Sequence, residues 1–128
     1  MPKYLLDTSV VIELINGNAA VLSHIQPGTE IYLPYVTIGE LYFGAYKSSR
    51  VRANLTQITS LTLDNTVLFS NMETARQYGI IRADLAQKGR PIPDNDVWIA
   101  AIAIEYSLVL VTRDTHFENV DKLSIERW

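Results

Sequence analysis

The stretch from Pro93 to Asp114 leaves the chain few choices. An apolar, alanine-rich run, Val97 to Ile104, is bounded by Pro93 and Ser107. It is too long for one buried strand, so it predicts a helix. Leu108 to Val111 then gives consecutive apolar residues without alternation, the pattern of a strand covered on both faces, as in a parallel sheet. That strand stops at Thr112-Arg113-Asp114. A helix and the strand after it run antiparallel. Asp94 and Asp96 at the head of the helix, and Asp114 past the end of the strand, therefore fall on the same edge of the sheet. In open α/β sheets, ligand chemistry gathers beyond the carboxyl ends of the strands. Any site in this chain belongs there, and it is acidic.

The rest of the chain repeats the alternation. Lys3 to Leu6 reads as a first strand ended by Asp7-Thr8-Ser9, with Thr8 or Ser9 available to cap a helix from Val10 to Ile15. Gly17-Asn18 breaks that helix, and Ala19 to Gln26 predicts a second short one, stopped by Pro27-Gly28. Ile31 to Leu33 is a second strand, ended by Pro34, and Thr37-Ile38-Gly39-Glu40 opens an apolar-aromatic helix to about Tyr46. Ser49 to Leu61 is amphipathic, and Thr66 to Phe69 reads as a short edge strand. Ser70 to Gln87 is a long helix with Ser70 and Glu73 at capping-box spacing and Gly89 beyond its end. Leu123 to Ile125 offers a last strand. Strands alternating with helices predict a parallel α/β sandwich, and 128 residues suit a single domain, 1–128, with its own core.

Composition narrows the chemistry. The chain has no cysteine, which excludes disulfides, thiolate nucleophiles and cysteine-based zinc sites and agrees with an expected cytoplasmic location. No apolar run approaches the roughly 20 residues that span a bilayer. Asp7 and Glu13 interrupt the apolar N-terminal stretch, so it does not read as a signal peptide. A net charge of −3 argues against holding nucleic acid by bulk electrostatics, but not against a local acidic metal site.

Asp7, Glu40, Asp96 and Asp114 come from separate parts of the chain and are all expected on one sheet edge. Each alone also fits a structural role. Thr37 and Glu40 stand at capping-box spacing, Asp94 could cap its helix, Asp96 suits the positive end of the helix dipole, and Asp7 and Asp114 suit turns. Together they are harder to explain that way. Two unit charges about 5 Å apart at an effective dielectric near 20 repel by roughly 3 kcal/mol. A hard dication turns that repulsion into attraction, since Mg²⁺ or Mn²⁺ takes carboxylate, water and phosphate oxygens. Such an ion activates a bound water and stabilises charge on a phosphoryl group, which suits phosphodiester hydrolysis without Ser, Cys or His as nucleophile.

At these residues the chain resembles the PIN-domain ribonucleases, and within them the VapC-type toxins of bacterial and archaeal toxin–antitoxin pairs. The resemblance spans essentially the whole chain. It rests on Tyr4-Leu5-Leu6-Asp7-Thr8-Ser9, on Thr37-Ile38-Gly39-Glu40-Leu41, on Asp96-Val97-Trp98-Ile99-Ala100-Ala101, and on Val111-Thr112-Arg113-Asp114 with Phe117. It implies a five-stranded parallel sheet in the order 3-2-1-4-5 between helices. It also implies metal-dependent endonuclease activity on single-stranded RNA, with Mg²⁺ or Mn²⁺ as cofactor. Asp7, Glu40 and Asp96 match the first three acids of the family, and Asp114 matches the fourth, which varies more there. Thr112 matches the hydroxyl beside the fourth acid. Thr8 is a further supporting hydroxyl, and Asp94 is an extra acid, either a helix cap or an outer partner of the site. Arg113 could contact RNA phosphate or simply be solvated. The resemblance further implies a VapB-like antitoxin whose C-terminal segment crosses the groove with an arginine toward the acids, and a homodimer. The helix from Leu41 to Tyr46 is expected to form part of the docking groove or of the dimer surface.

Rival readings fit less well. A catalytically silent PIN-fold binding module would not need the full acid set. A phospho-acceptor receiver would want an acidic pair after the first strand and a lysine after a late one, and a haloacid-dehalogenase-type phosphatase would want Asp-x-Asp where Ser9 stands. Lys47, Arg50 and Arg52, and Lys88 with Arg90, read as solvated helix ends before they read as a phosphate-holding rim. Tyr42 and Tyr46 share a helix face and suit core or dimer packing, Trp98 reads as core, and His24 and His116 receive no role.

Overall fold

The computed structural model describes residues 2–128. β1 (Lys3–Leu6), β2 (Glu30–Pro34), β3 (Thr66–Leu68), β4 (Val109–Val111) and β5 (Ile125–Glu126) form one sheet in the order β3-β2-β1-β4-β5, every pairing parallel. This is the expected order. The helices are α1 (Thr8–Ile15), α2 (Ala19–Leu22), α3 (Tyr35–Tyr46), α4 (Val51–Asp64), α5 (Met72–Lys88) and α6 (Asp94–Glu105), and a 3₁₀ turn covers Thr115–Asn119. Among the described residues no helix is long and apolar enough to cross a membrane.

Strand periodicity divides the core in two. Successive side chains of a strand point to opposite faces. Leu5 and Leu110 therefore go to one cluster, with Ile81 and Leu85 of α5, the buried run of α6, and Phe117. Leu6, Leu33 and Val111 go to the other, with Val10, Val11, Val21, Leu61 and Trp128. Both faces are covered, which is why Leu108 to Val111 shows no polar alternation. Val97 and Ile99–Ala103 are all buried, so α6 is apolar nearly all round. Its alanines leave room for α6 to lie between the sheet and α5.

Several element ends differ from expectation, each for a local reason. Asp7 caps α1, its Oδ1 accepting from the Val10 N–H at 3.0 Å, so the helix starts at Thr8 and neither Thr8 nor Ser9 is its cap. α2 stops at Leu22, short of Gln26. α3 starts at Tyr35 behind Pro34, which places Thr37 and Glu40 inside the helix, so there is no Thr37–Glu40 capping box. At α5 the cap is Asn71, not Ser70: Asn71 Oδ1 accepts from the Glu73 and Thr74 N–H groups, and Thr74 Oγ1 accepts from the Asn71 N–H. Glu73 turns instead to Arg76 and Gln77, and the Arg76 hydrogen bond leads in holding its carboxyl down at about 2. Thr74, fully buried, also donates to Glu105 at 2.6 Å and ties the head of α5 to the tail of α6. The strand expected at Leu123–Ile125 lies at Ile125–Glu126.

A Schellman closure makes the short passage from α6 to β4. The Leu108 N–H donates to the Ala103 carbonyl at 2.8 Å and the Ser107 N–H to that of Ile104 at 3.2 Å, with Ser107 in the left-handed region at φ 54°. Gly89 closes α5 in the same way at φ 67°. Trp98 is half-buried rather than core, and its ring stacks on Tyr78 of α5 at 4.0 Å between centroids. Tyr42 and Tyr46 stack on each other on the surface, 38% and 65% exposed, which rules out the core for them. Lys88 is an ion-pair clamp rather than a solvated end, bridging Asp84 at 2.7 Å and Asp121 at 2.8 Å. The cap assignment is testable by urea unfolding. Asn71→Ala should destabilise the protein by about 1 kcal/mol, whereas Ser70→Ala should stay within about 0.5 kcal/mol of wild type; the opposite ranking would restore Ser70 as the cap.

Candidate metal centre

The strand order reverses between β1 and β4, and a crevice at the carboxyl ends of strands at such a switch point is where α/β sheets hold ligands. β1 and β4 pair with Leu6 opposite Val111, and the Asp7 N–H donates to the Val111 carbonyl at 3.1 Å. The next residue on each strand, Asp7 and Thr112, therefore meet. Thr112 Oγ1 donates to Asp7 Oδ2 at 2.5 Å and accepts from the Asp114 N–H at 3.0 Å. One buried hydroxyl thus fixes the Asp7 carboxylate and the backbone that carries Asp114.

Asp7 is 3% exposed, Asp96 is half-buried and Asp114 is exposed. Burial, the dominant cause, raises the Asp7 carboxyl above its ordinary value of 3.8. Hydrogen bonds from Thr112 and Val10 oppose the rise, and the Asp114 charge adds to it. Asp96 is also raised, first by burial and then by the charges of Asp114 and Asp7, against the pull of His116. Among the described residues, no lysine or arginine pairs with Asp7, Glu40, Asp96 or Asp114.

Glu40 reaches the edge from α3. Its Oε1 accepts from Thr8 Oγ1 at 2.9 Å, and Thr8 Oγ1 lies 3.0 Å from Oγ1 of the fully buried Thr37. Thr8 therefore has two neighbours to satisfy, and Glu40 is held in the second turn of α3 by a hydroxyl chain rooted in the core. Asp94 goes elsewhere. It accepts from Tyr78 and pairs with Arg82 on α5, on the outer side of the Tyr78–Trp98 stack. The N-cap position of α6 is Pro93, so Asp94 is not its cap. Arg113 Nε donates to the Trp128 carbonyl at 2.8 Å, tying the end of β4 to the C-terminus.

His116, given no role in the sequence, stands in the centre. Its Nε2 lies 2.9 Å from Asp96 Oδ2, and ligand atoms of Asp96, Asp114 and His116 all lie within 4.8 Å of one another. Asp7 is near enough to feel the charges of Asp114 and His116, and Glu40 joins the same edge through Thr8, the residue after Asp7. The only signal in the chain was its spacing, two residues past an acid on a turn, and that pattern alone is too common to single it out. Carboxylate oxygens without a lysine or arginine partner among the described residues, with an imidazole among them, fit a divalent cation.

Comparison with known proteins gives the family. Residues 4–123 match the PIN domain family. The chain is 35% identical over 131 residues to a ribonuclease VapC of Haemophilus influenzae, covering 100% of this chain and 99% of that one. It is likewise 35% identical over 132 residues to a tRNA(fMet)-specific endonuclease VapC of Shigella flexneri, at 100% and 99% coverage. Among solved structures, that of DNA-bound VapBC from Salmonella typhimurium superimposes with a TM-score of 0.92 at 31% identity, covering 100% of this chain and 99% of the other. The match to the family extends over all the elements that build the acidic edge, from β1 to the turn after β4, and so this chain belongs to the PIN-domain family, among its VapC ribonucleases.

Proposed function

We propose that this chain is the ribonuclease of a toxin–antitoxin pair. It acts as a single PIN-like domain in the cytoplasm and hydrolyses phosphodiester bonds of single-stranded or loop RNA with Mg²⁺ or Mn²⁺ held by Asp7, Glu40, Asp96 and Asp114. The observation that carries this reading is the cluster of Asp96, Asp114 and His116 beside the buried Asp7 at the β1–β4 switch point, with no lysine or arginine among the described residues to balance it. A bound divalent ion supplies the missing positive charge, an activated water and stabilisation of the phosphoryl oxygens.

The chain's own residues hold and aim the carboxylates. Asp7 is clamped at both oxygens, by the Val10 N–H and the Thr112 hydroxyl. Glu40 is held through Oε1 by Thr8, which leaves Oε2 without a hydrogen-bond partner among the described residues. The exposed side of Asp114 is the way in for the RNA backbone. Asp94 supports the site from outside, fixing the head of α6 against α5. Arg113 keeps the terminal nitrogens of its guanidinium for RNA phosphate while Nε stays on the C-terminal carbonyl.

A groove of about 250 Å³ between α1, α3 and α4 is lined by Ile12, Ile15, Leu41, Ala45 and Ile58 and reaches the acids at Thr8 and Glu40. An apolar segment of a VapB-like antitoxin fits this groove and can bring an arginine to the carboxylates, which a guanidinium matches with two parallel hydrogen bonds. Tyr42, Phe43 and Tyr46 lie outside the groove lining and are exposed, and this surface of α3 is the one we assign to the homodimer.

RNA cleavage by the purified chain should need Mg²⁺ or Mn²⁺ and stop in EDTA. Asp96→Asn should lower turnover by at least about a hundredfold, the upper end of what losing an outer partner of a metal ligand costs. Cleavage that persists in EDTA would defeat the mechanism. Stability carries a second test. Because burial raises Asp7 and Asp96, these two carboxyls bind protons more tightly in the folded, metal-free protein than in the unfolded chain. Their contribution to stability should therefore fall as pH rises from the ordinary value of 3.8 through the raised native values, then level off. Asp96→Asn should flatten that fall and melt no lower than wild type at neutral pH. A steepened fall, or a clear loss of stability, would mean that the Asp96 charge is structurally favourable. Millimolar Mn²⁺ should stabilise wild type by mass action and the variant less.

A further inference from the structure

The His116 ring is set in place before any ion arrives. Its neighbour Phe117 is fully buried and anchors the 3₁₀ turn, with ring centroids 4.8 Å apart, and Asn119 Nδ2 donates to the His116 carbonyl at 3.2 Å. The ring edge points at Asp96, Nε2 to Oδ2 2.9 Å, while Asp114 stands open to solvent beside both. Adjacent ligands about 2.1 Å from an octahedral ion stand roughly 3.0 Å apart. The Asp96–His116 separation is that of two neighbouring ligands of one ion; such an ion would sit off the Nε2–Oδ2 line, so taking it up needs a turn of the ring, with its proton carried on Nδ1, but no change in that separation.

We infer that His116 is a direct metal ligand, making this a mixed nitrogen–oxygen centre that prefers Mn²⁺ and other first-row transition ions over Mg²⁺. The inference rests on the metal-dependent reading above and adds a ligand of a different chemical kind to its four acids. Mg²⁺ binds oxygen and keeps its waters, so it gains little from an imidazole. Transition ions accept imidazole readily, and Mn²⁺ also tolerates a shell of carboxylates and water. A histidine at this position therefore does more than hold Asp96: it biases which ion fills the site.

The test is spectroscopic and needs no substrate. The full-length protein is loaded with substoichiometric Mn²⁺ and its electron spin echo envelope modulation is recorded. Modulation from a directly bound ¹⁴N is expected. It should vanish in His116→Ala and persist in His24→Gln, His24 being the other of the two histidines in the chain and one that stacks on Trp128. In a competition read by the free Mn²⁺ signal, His116→Ala should lose Mn²⁺ affinity by at least the roughly 10–100-fold that an outer partner commands, with a much smaller loss for Mg²⁺. Mn²⁺ bound without nitrogen modulation would overturn the inference and leave the four-acid site standing. Equal losses for the two ions would reduce His116 to a hydrogen-bonding partner of Asp96. Failure of wild type to bind Mn²⁺ would overturn both readings.

Discussion

The pairing of β1 with β4 is the contact on which the rest depends. It joins residues 105 positions apart along the chain, and its last rung, Leu6 opposite Val111, sets Asp7 beside Thr112. A slip of β1 by one residue against β4 would invert its side chains, sending Leu5 to the face now held by Leu6 and Val111. The two core clusters therefore specify the register, and the register specifies the site. The Thr112 hydroxyl serves both neighbours, donating to the Asp7 carboxylate and accepting from the Asp114 N–H. Hydrophobic burial on both faces is converted by that one hydroxyl into a fixed geometry for two acids.

That geometry works against the stability of the metal-free fold. Asp7 is almost wholly buried and Asp96 half so, and neither has a lysine or arginine partner among the described residues. Elsewhere the chain pairs its charges with care: Lys88 bridges Asp84 and Asp121, Arg76 holds Glu73, and Arg82 holds Asp94. Leaving the switch-point acids without such partners concentrates negative charge in one place. Unbalanced charge of this kind would be relieved by a cation, which is why the proposed function turns on these acids.

The acids also differ in how firmly they are held. Asp7 caps α1 as well as facing the site, so its position is shared with the start of a helix. Glu40 hangs from Thr8 and, behind it, the buried Thr37. Asp96 and Asp114 are steadied by His116 and by backbone contacts, on the side most open to solvent. The more firmly held acids lie against the core and the less firmly held ones face solvent.

The sequence by itself determined the alternation of strands and helices, the double-sided core and the edge on which Asp7, Glu40, Asp96 and Asp114 gather. Hydrophobic period and helix-to-strand reversal are local properties and can be read from a few neighbours at a time. It did not determine the caps, because Asp7 and Asn71 compete with adjacent hydroxyls, Thr8, Ser9 and Ser70, and backbone direction chooses among them. Nor did it decide whether Asp94, the extra acid beside Asp96, caps its helix or supports the site. They lie two positions apart on α6, and the turn of that helix sends one to Tyr78 and Arg82 and the other to His116. His116 itself became legible only once β4 and the 3₁₀ turn brought it against α6, across a separation of 20 residues that no local pattern encodes.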